Sequence, residues 1–279
     1  MMRISASIVT YNTRREDLER VIRSALSDSI SRLYVVDHSP GEGIEAMLPA
    51  DGRITYIRRP NLGYGAGHNF AIRKAMEEDA RYHAVLNPDI FWEGNLVERL
   101  ADYMDGNPKA GLTVPRVRYP DGRLQYVCKL IPTPLDLVAN RFLPSWMFRK
   151  RLERFRLEQT GYREVMNVPY MHGCFFMLRM DALRDVGLFD ERFFMYPEDI
   201  DLTRRLHERW QTLYYPSLTL YHAHAAESRK SLRMLRIHAV NMVRYFNKWG
   251  WFFDPSRRRI NRAVRARLLS AEVGRDLAP

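Results

Sequence analysis

Cysteine is scarce in this sequence, with Cys128 and Cys174 the only two among 279 residues. They form neither a CxxC pair nor a disulfide-like array, a pattern that favours a reducing compartment and two thiols that serve as packing residues. Long apolar runs are also missing, because no stretch reaches the roughly 20 apolar residues of a membrane-spanning helix. The first residues turn polar after Val9, too early for the apolar core of a signal peptide. We therefore expect a cytoplasmic protein that contacts a membrane only peripherally, at its inner face.

Acidic residues are outnumbered, with 33 Asp and Glu against 44 Lys and Arg, so the net charge is +11. Such an excess implies anionic partners: nucleic acid, an acidic membrane surface or phosphorylated ligands. Basic residues concentrate in two runs, 148–156 and 257–267. The hydrophobic content of 46% is sufficient for a buried core.

The first hundred residues alternate β-rich runs with amphipathic helical stretches. Strands are predicted over 4–11, 32–37, 53–59 and 82–87, and helices over 15–26 and 66–79. This alternation predicts an α/β fold with a mostly parallel central sheet and helices on both faces. Ligands bind such sheets at the carboxyl ends of the strands. The polar residues at those ends predict a binding crevice formed by Thr10, Tyr11, Asn12, Asp37 and residues 87–89.

The pattern changes after residue 114. Asp121 and Gly122, between two short β-like runs, predict a hairpin. Residues 130–168 are basic, aromatic and interrupted by prolines, which suits a mobile or surface segment. Further elements are predicted in this order: a buried strand over 170–180, a helix from about Glu198, a strand over 212–222 and a helix over 230–248.

The C-terminal part combines apolar, aromatic and basic residues. On a helix, an apolar stripe ringed by arginines would consist of Ile260, Val264, Leu268 and Ala271, preceded by Trp249, Trp251, Phe252 and Phe253. This combination is typical of a surface that binds an anionic bilayer, and residues 145–157 repeat it. A packed terminal helix with a solvated charged face is the alternative. We predict a catalytic domain over 1–229 and a helical, basic extension over 230–279.

Three carboxylates, Glu198, Asp199 and Asp201, lie where a helix is predicted to begin. The helix dipole stabilises acidic side chains there. Asp201 precedes Arg204 and Arg205 by three and four residues, which is the spacing of a helical ion pair, so we interpret it as structural. Asp199 remains a candidate general base, with Glu198 beside it.

Two other motifs are candidates for binding a phosphorylated ligand and its cation. Asp89 follows a strand across a proline, and Mg²⁺ or Mn²⁺ prefers such oxygen ligands; a plain Asn-Pro-Asp turn is the alternative. Gly63 and two further glycines precede a helix, whose free N–H groups suit an anion; a flexible loop is the alternative.

His222 and His224 alternate on an extended segment, so both face one side, and His224 is a candidate metal ligand.

Together these motifs resemble the family 2 glycosyltransferases, which are inverting enzymes with a GT-A fold. The resemblance covers about residues 4–248 through SIVTYN, VVDHS, NLGYGAGHN, LNPDI and HAAES, and it is most specific over GLFDERFFMYPEDIDLTRRL at 187–206. Within the family, the chain is most similar to bacterial rhamnosyltransferase-like enzymes that build surface polysaccharides.

The resemblance implies roles for the matching residues. Tyr11 and Asp37, next to Thr10 and Asn12, would hold the nucleotide base, and Asn69 would lie near the donor sugar or diphosphate. Asp89 would bind the divalent cation, Mg²⁺ or Mn²⁺, with His224 as a possible further ligand, and Asp199 would be the catalytic base. Asn87 stands where the family has the first acid of Asp-x-Asp, so it can donate or accept hydrogen bonds but brings no charge to the metal.

The resemblance also implies partners. The expected donor is a dTDP- or UDP-linked sugar, with dTDP-rhamnose the first choice, and the expected acceptor is a saccharide on a polyprenyl diphosphate lipid. An anionic membrane surface fits that acceptor. Since the metal ligand and the base must flank one sugar, Asp89 and Asp199 should converge in space.

Other classes of protein fit the sequence less well. A nucleic-acid-binding protein would explain the charge, but no recognised binding motif occurs and the carboxylates stay unexplained. A nucleotidyltransferase would share the sheet, but the basic glycine-rich loop expected near its first strand is absent. A processive synthase would carry spanning helices and Gln-x-x-Arg-Trp, where this chain has Leu206 before Arg209 and Trp210.

Overall fold

The computed structural model describes residues 3–137, 145–223 and 232–276 of the chain. The strands are β1 (Ile4–Thr10), β2 (Arg32–Asp37), β3 (Ile54–Arg58), β4 (Tyr82–Leu86), β5 (Ile90–Phe91), β6 (Ala110–Arg118), β7 (Cys128–Lys129), β8 (Met166–Asn167), β9 (Tyr170–Met171), β10 (Phe175–Arg179) and β11 (Gln211–His222). The α-helices are α1 (Arg15–Leu26), α2 (Tyr64–Glu77), α3 (Leu96–Asp105), α4 (Ser145–Phe155), α5 (Met180–Val186), α6 (Glu198–Arg209), α7 (Leu232–Trp249) and α8 (Pro255–Asp276).

A nine-stranded sheet flanked by helices forms the centre of the molecule, in the order β3-β2-β1-β4-β10-β6-β11-β5 with β8 paired to β11. Strand β1 is buried along its whole length, and its buried Ser5 and Ser7 hydroxyl oxygens lie 2.8 and 2.7 Å from the ring nitrogens of His83. Helix α1, which the sequence predicted over 15–26, buries Leu18, Val21 and Ile22. The expected α/β fold is confirmed.

Most strands of the sheet run in one direction. Strands β1 to β4 are parallel, as predicted. Strand β10 runs antiparallel to β4 and β6, whereas β11 is parallel to β6 and antiparallel to β5 and β8. Six of the nine strands therefore share one direction, which agrees with a mostly parallel sheet, and β5, β8 and β10 run in the opposite direction.

The strand order reverses beside β1. The chain leaves β1 through α1 to reach β2 on one side, and later crosses by α2 to β4 on the other side. The carboxyl ends of β1 and β4 thus border a topological switch point, where ligands bind in sheets of this kind.

Two predicted segments differ from the structure. Residues 170–180 form two short strands, β9 and β10, rather than the single predicted strand. Residues 172–174 between them make the contacts described below. The described part of 130–168 holds α4 and buried side chains such as Phe155 and Tyr162, so much of it packs on the core. The predicted turn at Asp121 and Gly122 is present, with Gly122 at a φ of 86°.

Helices α7 and α8 pack on the rest of the chain. Tyr245, Phe246, Ile260 and Val264 are all buried, so the apolar stripe of α8 faces the protein and the packed-helix alternative is correct for it. Phe252 and Phe253, in the turn between the two helices, are 74% and 85% exposed. No helix in the described ranges is long and apolar enough to cross a membrane. The division at residue 229 stays a prediction.

Asp201 joins the helix that carries the carboxylates to α7. Its carboxylate pairs with Arg205 Nε at 2.8 Å, accepts from Trp249 Nε1 at 2.8 Å and lies 2.6 Å from Lys248 Nζ. These contacts make Asp201 structural, as its spacing from Arg205 indicated. Arg204, the other predicted partner, pairs with Asp254 instead.

Candidate active site

The turn after β4 brings Asn87 and Asp89 to the carboxyl edge of the sheet. The Asn87 backbone N–H donates to the Cys174 carbonyl at 2.9 Å, which fixes the turn to the loop between β9 and β10. One Asp89 carboxylate oxygen lies 3.3 Å from Nε2 of His222, and the Asp89 side chain is 23% exposed. Asp89 is therefore held at the surface of the crevice, within reach of a ligand.

Tyr64, the first residue of α2, joins this turn to the neighbouring loop. Its hydroxyl oxygen lies 2.9 Å from the Asn87 side-chain amide and 2.7 Å from the Gly173 carbonyl. One phenolic proton cannot serve two acceptors, so the Asn87 amide is best oriented with its NH₂ toward the hydroxyl. Burial raises the pKa of Tyr64 well above its usual value, and the charges of Asp199 and Asp89 add to the shift.

The Asp199 carboxylate is enclosed at the start of α6. It accepts hydrogen bonds from the backbone N–H groups of Gly173 at 3.1 Å and Ile200 at 2.7 Å. Burial raises the pKa of Asp199 to about 6, while Lys129 and the backbone donors act in the opposite direction. A carboxylate whose pKa lies near neutrality is suited to accept a proton from a bound hydroxyl.

Glu198 has a different environment from Asp199. It is buried, and its Oε2 has no hydrogen-bond partner within the described ranges. Burial first, and the charge of Asp199 second, raise the pKa of Glu198 well above its usual value. Two adjacent buried carboxyls resist double ionisation, so Glu198 stays neutral while Asp199 carries the charge.

The loop of residues 172–174 connects the two carboxylate sites. Gly173 donates its N–H to Asp199 and accepts the Tyr64 hydroxyl on its carbonyl, and the next carbonyl holds the Asn87 turn. The turn that carries Asp89 and the Asp199 carboxylate are thus both hydrogen-bonded to this loop. A methyl group at position 173 would lie 3.1 Å from Asp199 Cβ, so glycine permits this close approach.

The Asp37 carboxylate at the end of β2 is fully buried and accepts four hydrogen bonds. Its donors are Thr10 Oγ1 at 3.0 Å, Ser39 N–H at 2.9 Å, Tyr56 hydroxyl at 2.9 Å and Ile44 N–H at 3.2 Å. Burial opposes ionisation, but these donors leave the pKa of Asp37 below its usual value. An Asp37 contact to a base N–H stays a prediction, and it requires one of these donors to move.

The rim beside Asp37 is more open. Tyr11 is 50% exposed, so its ring is available for stacking, and Asn12 adopts a positive φ of 50° that asparagine tolerates well. An open cleft of about 330 Å³ lies nearby, lined by His38, Ser39, Arg58, Arg59, Pro60 and Asn61. Its two guanidinium groups suit an anionic ligand.

Asn69 and Gly63 position the site from within α2 and its entry. Asn69 is fully buried, donates to the Phe189 carbonyl and the Glu191 carboxylate, both at 2.8 Å, and accepts from the Phe189 N–H. These contacts make Asn69 a positioning residue for the chain before α6; contact with a donor stays a prediction. Gly63 has a φ of 111° and lies against the Phe194 backbone, which only glycine allows.

Several site residues were not identified from the sequence. Tyr64 lies in the NLGYGAGHN stretch, but the sequence offers no reason to assign it a role. Gly173 contacts Asp199 and Tyr64, and Lys129 opposes the rise in the pKa of Asp199, yet neither belongs to a motif with a recognisable spacing. His222 was seen only as the neighbour of His224, although it is the histidine that lies beside Asp89. His224 itself lies outside the described residues.

The donor set around Asp89 fits a hard divalent cation. Asp89 offers a partly exposed carboxylate, and an imidazole nitrogen lies next to it; carboxylate oxygen with few protein ligands is typical of Mg²⁺ and Mn²⁺ sites that also bind phosphate. Asn87 contributes no charge, and its amide is engaged by Tyr64, so Asp89 is the charged group that this turn offers to such a cation.

Sequence comparison identifies the family. A family model described as glycosyl transferase family 2 matches residues 5–187, more than half of the chain. The chain belongs to glycosyl transferase family 2. This membership confirms the resemblance inferred from the motifs. Some relatives of this glycosyltransferase have names that are more specific than the family description.

The similar proteins include rhamnosyltransferases. The glycosyltransferase is 30% identical over 210 residues to an N-acetylglucosaminyl-diphospho-decaprenol L-rhamnosyltransferase of Mycobacterium tuberculosis (strain ATCC 25618 / H37Rv), which covers 71% of this chain and 68% of the relative. It is 25% identical over 199 residues to rhamnosyltransferase WbbL of Escherichia coli (strain K12), covering 69% of this chain and 73% of the relative. These relatives confirm that the chain is rhamnosyltransferase-like.

Solved structures support the fold. A crystal structure of GalNAc-T7 with UDP, GalNAc and Mn²⁺ superposes with a TM-score of 0.58 at 16% identity; it covers 79% of this chain, which spans only 44% of that protein. S. aureus TarS 1–349 in complex with UDP gives a TM-score of 0.53 at 14% identity, covering 87% of this chain and 66% of that one. At these identities the likeness establishes the GT-A fold alone.

Proposed function

We propose that this glycosyltransferase moves one sugar, best assigned as rhamnose from dTDP-rhamnose, to a hydroxyl of a lipid-linked saccharide, with inversion at the anomeric carbon. The names of the two rhamnosyltransferase relatives support the sugar, and the decaprenol diphosphate in the name of one supports the lipid-linked acceptor. The UDP in two similar structures supports a nucleotide-linked donor, with UDP as the alternative to dTDP.

One observation carries the proposal: the loop of residues 172–174 binds the turn that carries Asp89, through the Asn87 N–H, and also binds Asp199, through the Gly173 N–H. A sugar bound between them would have its diphosphate toward Asp89 and its opposite face toward Asp199. Asp199, with a pKa of about 6, takes the proton from the acceptor hydroxyl as its oxygen bonds to the anomeric carbon. The bond to the diphosphate breaks in the same displacement, so the configuration inverts.

Asp89 would hold the divalent cation, with His222 beside it and His224 as a further candidate. When bound, such a cation neutralises charge that develops on the departing nucleoside diphosphate. Tyr64 fixes the Asn87 turn and the Gly173 loop relative to each other, which limits motion between the two carboxylates. Glu198, being neutral, keeps a second negative charge away from the incoming hydroxyl.

Contact with an anionic membrane surface completes the proposal, since a lipid-linked acceptor is presented there. Phe252 and Phe253 project from the turn between α7 and α8, and Trp146 on α4 is 77% exposed. Helices α4 and α8 both contact residues 132–133. Arg151 of α4 donates to the Thr133 hydroxyl at 3.0 Å, and Arg257 of α8 donates to the Pro132 carbonyl at 3.4 Å. Exposed aromatics among basic residues suit the headgroup region of a bilayer.

Thermal shift with nucleotides and metal tests the donor assignment. dTDP or UDP with Mn²⁺ or Mg²⁺ should raise the melting temperature, because a ligand at 100 times its Kd stabilises the fold by about 2.7 kcal/mol. Asp89→Ala should remove the metal-dependent part of the shift, whereas Asp121→Ala in the exposed hairpin should retain it. Equal metal-dependent shifts in the wild type and Asp89→Ala would contradict the cation assignment.

Product analysis then tests the reaction. Incubation with dTDP-rhamnose and a polyprenyl diphosphate-linked saccharide should yield dTDP and an inverted glycoside, identified by NMR of the new anomeric proton. Release of pyrophosphate from a nucleoside triphosphate and a sugar phosphate would instead indicate a nucleotidyltransferase. Tight RNA binding without any nucleotide-dependent shift would indicate a nucleic-acid-binding protein.

A further inference from the structure

Two histidines and a cysteine cluster beside Asp89. One ligand atom from each of His172, Cys174 and His222 lies within 4.8 Å of the other two. Cys174 and His222 are 1% exposed, and His172 is half-buried, which leaves an approach from the crevice. The proposed transfer reaction assigns no role to the cysteine or to His172.

The His222 ring is oriented so that Nε2 faces this cluster and Nδ1 faces Gln125. Gln125 Oε1 lies 2.9 Å from His222 Nδ1, and Gln125 Nε2 donates to the His222 carbonyl at 2.8 Å. Because an amide oxygen only accepts, Nδ1 carries a proton, and Nε2 is the nitrogen that faces Asp89 and the cluster. A ligating histidine is typically fixed in this way, by a hydrogen bond from its other ring nitrogen.

His222 Nε2 lies among negative or electron-rich groups. The Asp89 carboxylate lies 3.3 Å from it, and the Cys174 sulfur belongs to the same cluster. A proton on Nε2 is attracted to both groups. A metal ion bound to Nε2 and to the sulfur would take the place of that proton.

The donor types distinguish this cluster from a magnesium site. Thiolate sulfur and two imidazole nitrogens favour Zn²⁺ and related ions, whereas Mg²⁺ prefers oxygen. Three protein ligands with a fourth position available to a carboxylate oxygen or water is a common zinc arrangement. The distances between ligand atoms in the cluster are compatible with a shared ion once the side chains contract onto it.

We propose that His172, Cys174 and His222 bind a thiophilic divalent metal ion such as Zn²⁺. On binding, the Cys174 thiol and His222 Nε2 each release a proton to solvent, and the sulfur bonds to the metal as a thiolate and Nε2 through its lone pair. The site adjoins Asp89, so zinc occupancy competes with a hard cation for the same carboxylate. The existence of the site does not depend on the proposed donor or acceptor.

Cobalt(II) tests the site directly, because a thiolate bound to Co²⁺ gives a charge-transfer absorption in the near-ultraviolet. The full-length, chelator-treated protein should develop this band with one equivalent of Co²⁺ and lose it when Zn²⁺ is added. Cys174→Ser should abolish the band, while Cys128→Ser, which changes the other buried cysteine, should keep it. Circular dichroism of both variants checks that they are folded.

Further variants separate this site from the cation role of Asp89. Gln125→Leu should weaken Co²⁺ affinity about 10- to 100-fold, as for other partners of ligating histidines. Asp89→Ala should retain the charge-transfer band even though it loses nucleotide binding. A wild-type protein without the band, or a folded Cys174→Ser variant that retains it, would overturn the proposal whether or not sugar transfer is observed.

Discussion

The Arg204 guanidinium and the Asp254 carboxylate form two hydrogen bonds, of 2.8 and 2.7 Å, in the protein interior. Their side chains are 1% and 2% exposed, and the guanidinium also lies 3.9 Å from the centre of the Trp249 ring. Arg204 belongs to α6, which carries Asp199, whereas Asp254 precedes α8. The pair therefore fixes the helix of the candidate base to the C-terminal part of the chain.

Removal of the Asp254 charge should strongly lower the free energy of unfolding. Asp254→Asn leaves Arg204 buried without its counter-charge, and breaking a buried pair in this way costs about 3–5 kcal/mol. Glu19→Gln breaks the exposed pair with Arg15 and should cost less than about 1 kcal/mol. Urea unfolding of the two variants measures the difference; equal losses would show that the buried pair is not needed for stability.

Asp199→Asn should lower the transfer rate about 10²- to 10⁴-fold, the usual contribution of a general base. The variant should still bind the nucleotide sugar, because the side of the site that faces the diphosphate is unchanged. Glu198→Gln should lose less, since glutamine resembles the neutral form that burial imposes on Glu198. Steady-state rates with the same donor and acceptor compare the two variants; equal turnover in Asp199→Asn and wild type would remove the assignment of the base.

The pH dependence of transfer follows from the raised pKa of Asp199. The base must be ionised, and its pKa is about 6, so the rate should be constant above pH 7 and fall roughly tenfold per unit below pH 6. A profile of kcat/KM against pH checks this. An inflection near pH 4, the ordinary value for Asp, would mean that burial does not control the reactive group.

Two buried histidines share a chain of hydroxyl groups beneath the site. His83 lies 2.8 Å from Ser5 Oγ and 2.7 Å from Ser7 Oγ, which in turn is 2.7 Å from His68 Nδ1. Burial lowers the pKa of His83 to about 3 and that of His68 well below its usual value. Both imidazoles are therefore neutral in the folded protein.

These histidines should make the fold sensitive to acid. Unfolding lets each bind a proton near its ordinary pKa of about 6.5, so their contribution is full above that pH and declines as the pH falls. His83, whose pKa in the folded protein is about 3, should lower the free energy of unfolding by roughly 2 kcal/mol between pH 7 and pH 5. Urea titrations should show a smaller pH dependence in His83→Gln, and an unchanged dependence would contradict this account.

Membrane contact should depend on the aromatic turn. Replacing Phe252 and Phe253 by serine removes two exposed rings and should weaken binding to phosphatidylglycerol vesicles at least about tenfold, because an inserted phenyl ring contributes about 1.5–3 kcal/mol when fully buried. Leu62→Ser, at another exposed apolar residue that is 60% exposed, should have no such effect. Co-sedimentation with vesicles measures both; identical binding would place the contact elsewhere.

The sequence predicted the first half of the fold well, because periodicity reports burial. Strand β1 and helix α1 lie where the pattern of apolar residues predicted a strand and a helix. The sequence could not show that β10 runs antiparallel, since a fully buried strand has the same composition in either direction. It also could not show that the Ile260 and Val264 stripe faces the protein, because an apolar stripe suits a core as well as a bilayer.

Local motifs located the acidic residues of the site but not what surrounds them. Asp89 and Asp199 could be identified because each follows or begins a predicted element. The link between them runs through Tyr64 and Gly173, which are 109 residues apart, and no local pattern encodes such a contact. The raised pKa of Asp199 likewise depends on burial by distant parts of the chain.

The glycines at the start of α2 have a consequence for attempts to redesign donor choice. A methyl group on Gly65 would come within 2.8 Å of Phe189, and one on Gly67 within 2.8 Å of Val9, so this helix cannot be moved or thickened without displacing the chain that leads to α6. Libraries aimed at a different nucleotide should therefore leave the helix intact and diversify the open rim around Tyr11 and Arg58, where substitutions meet solvent.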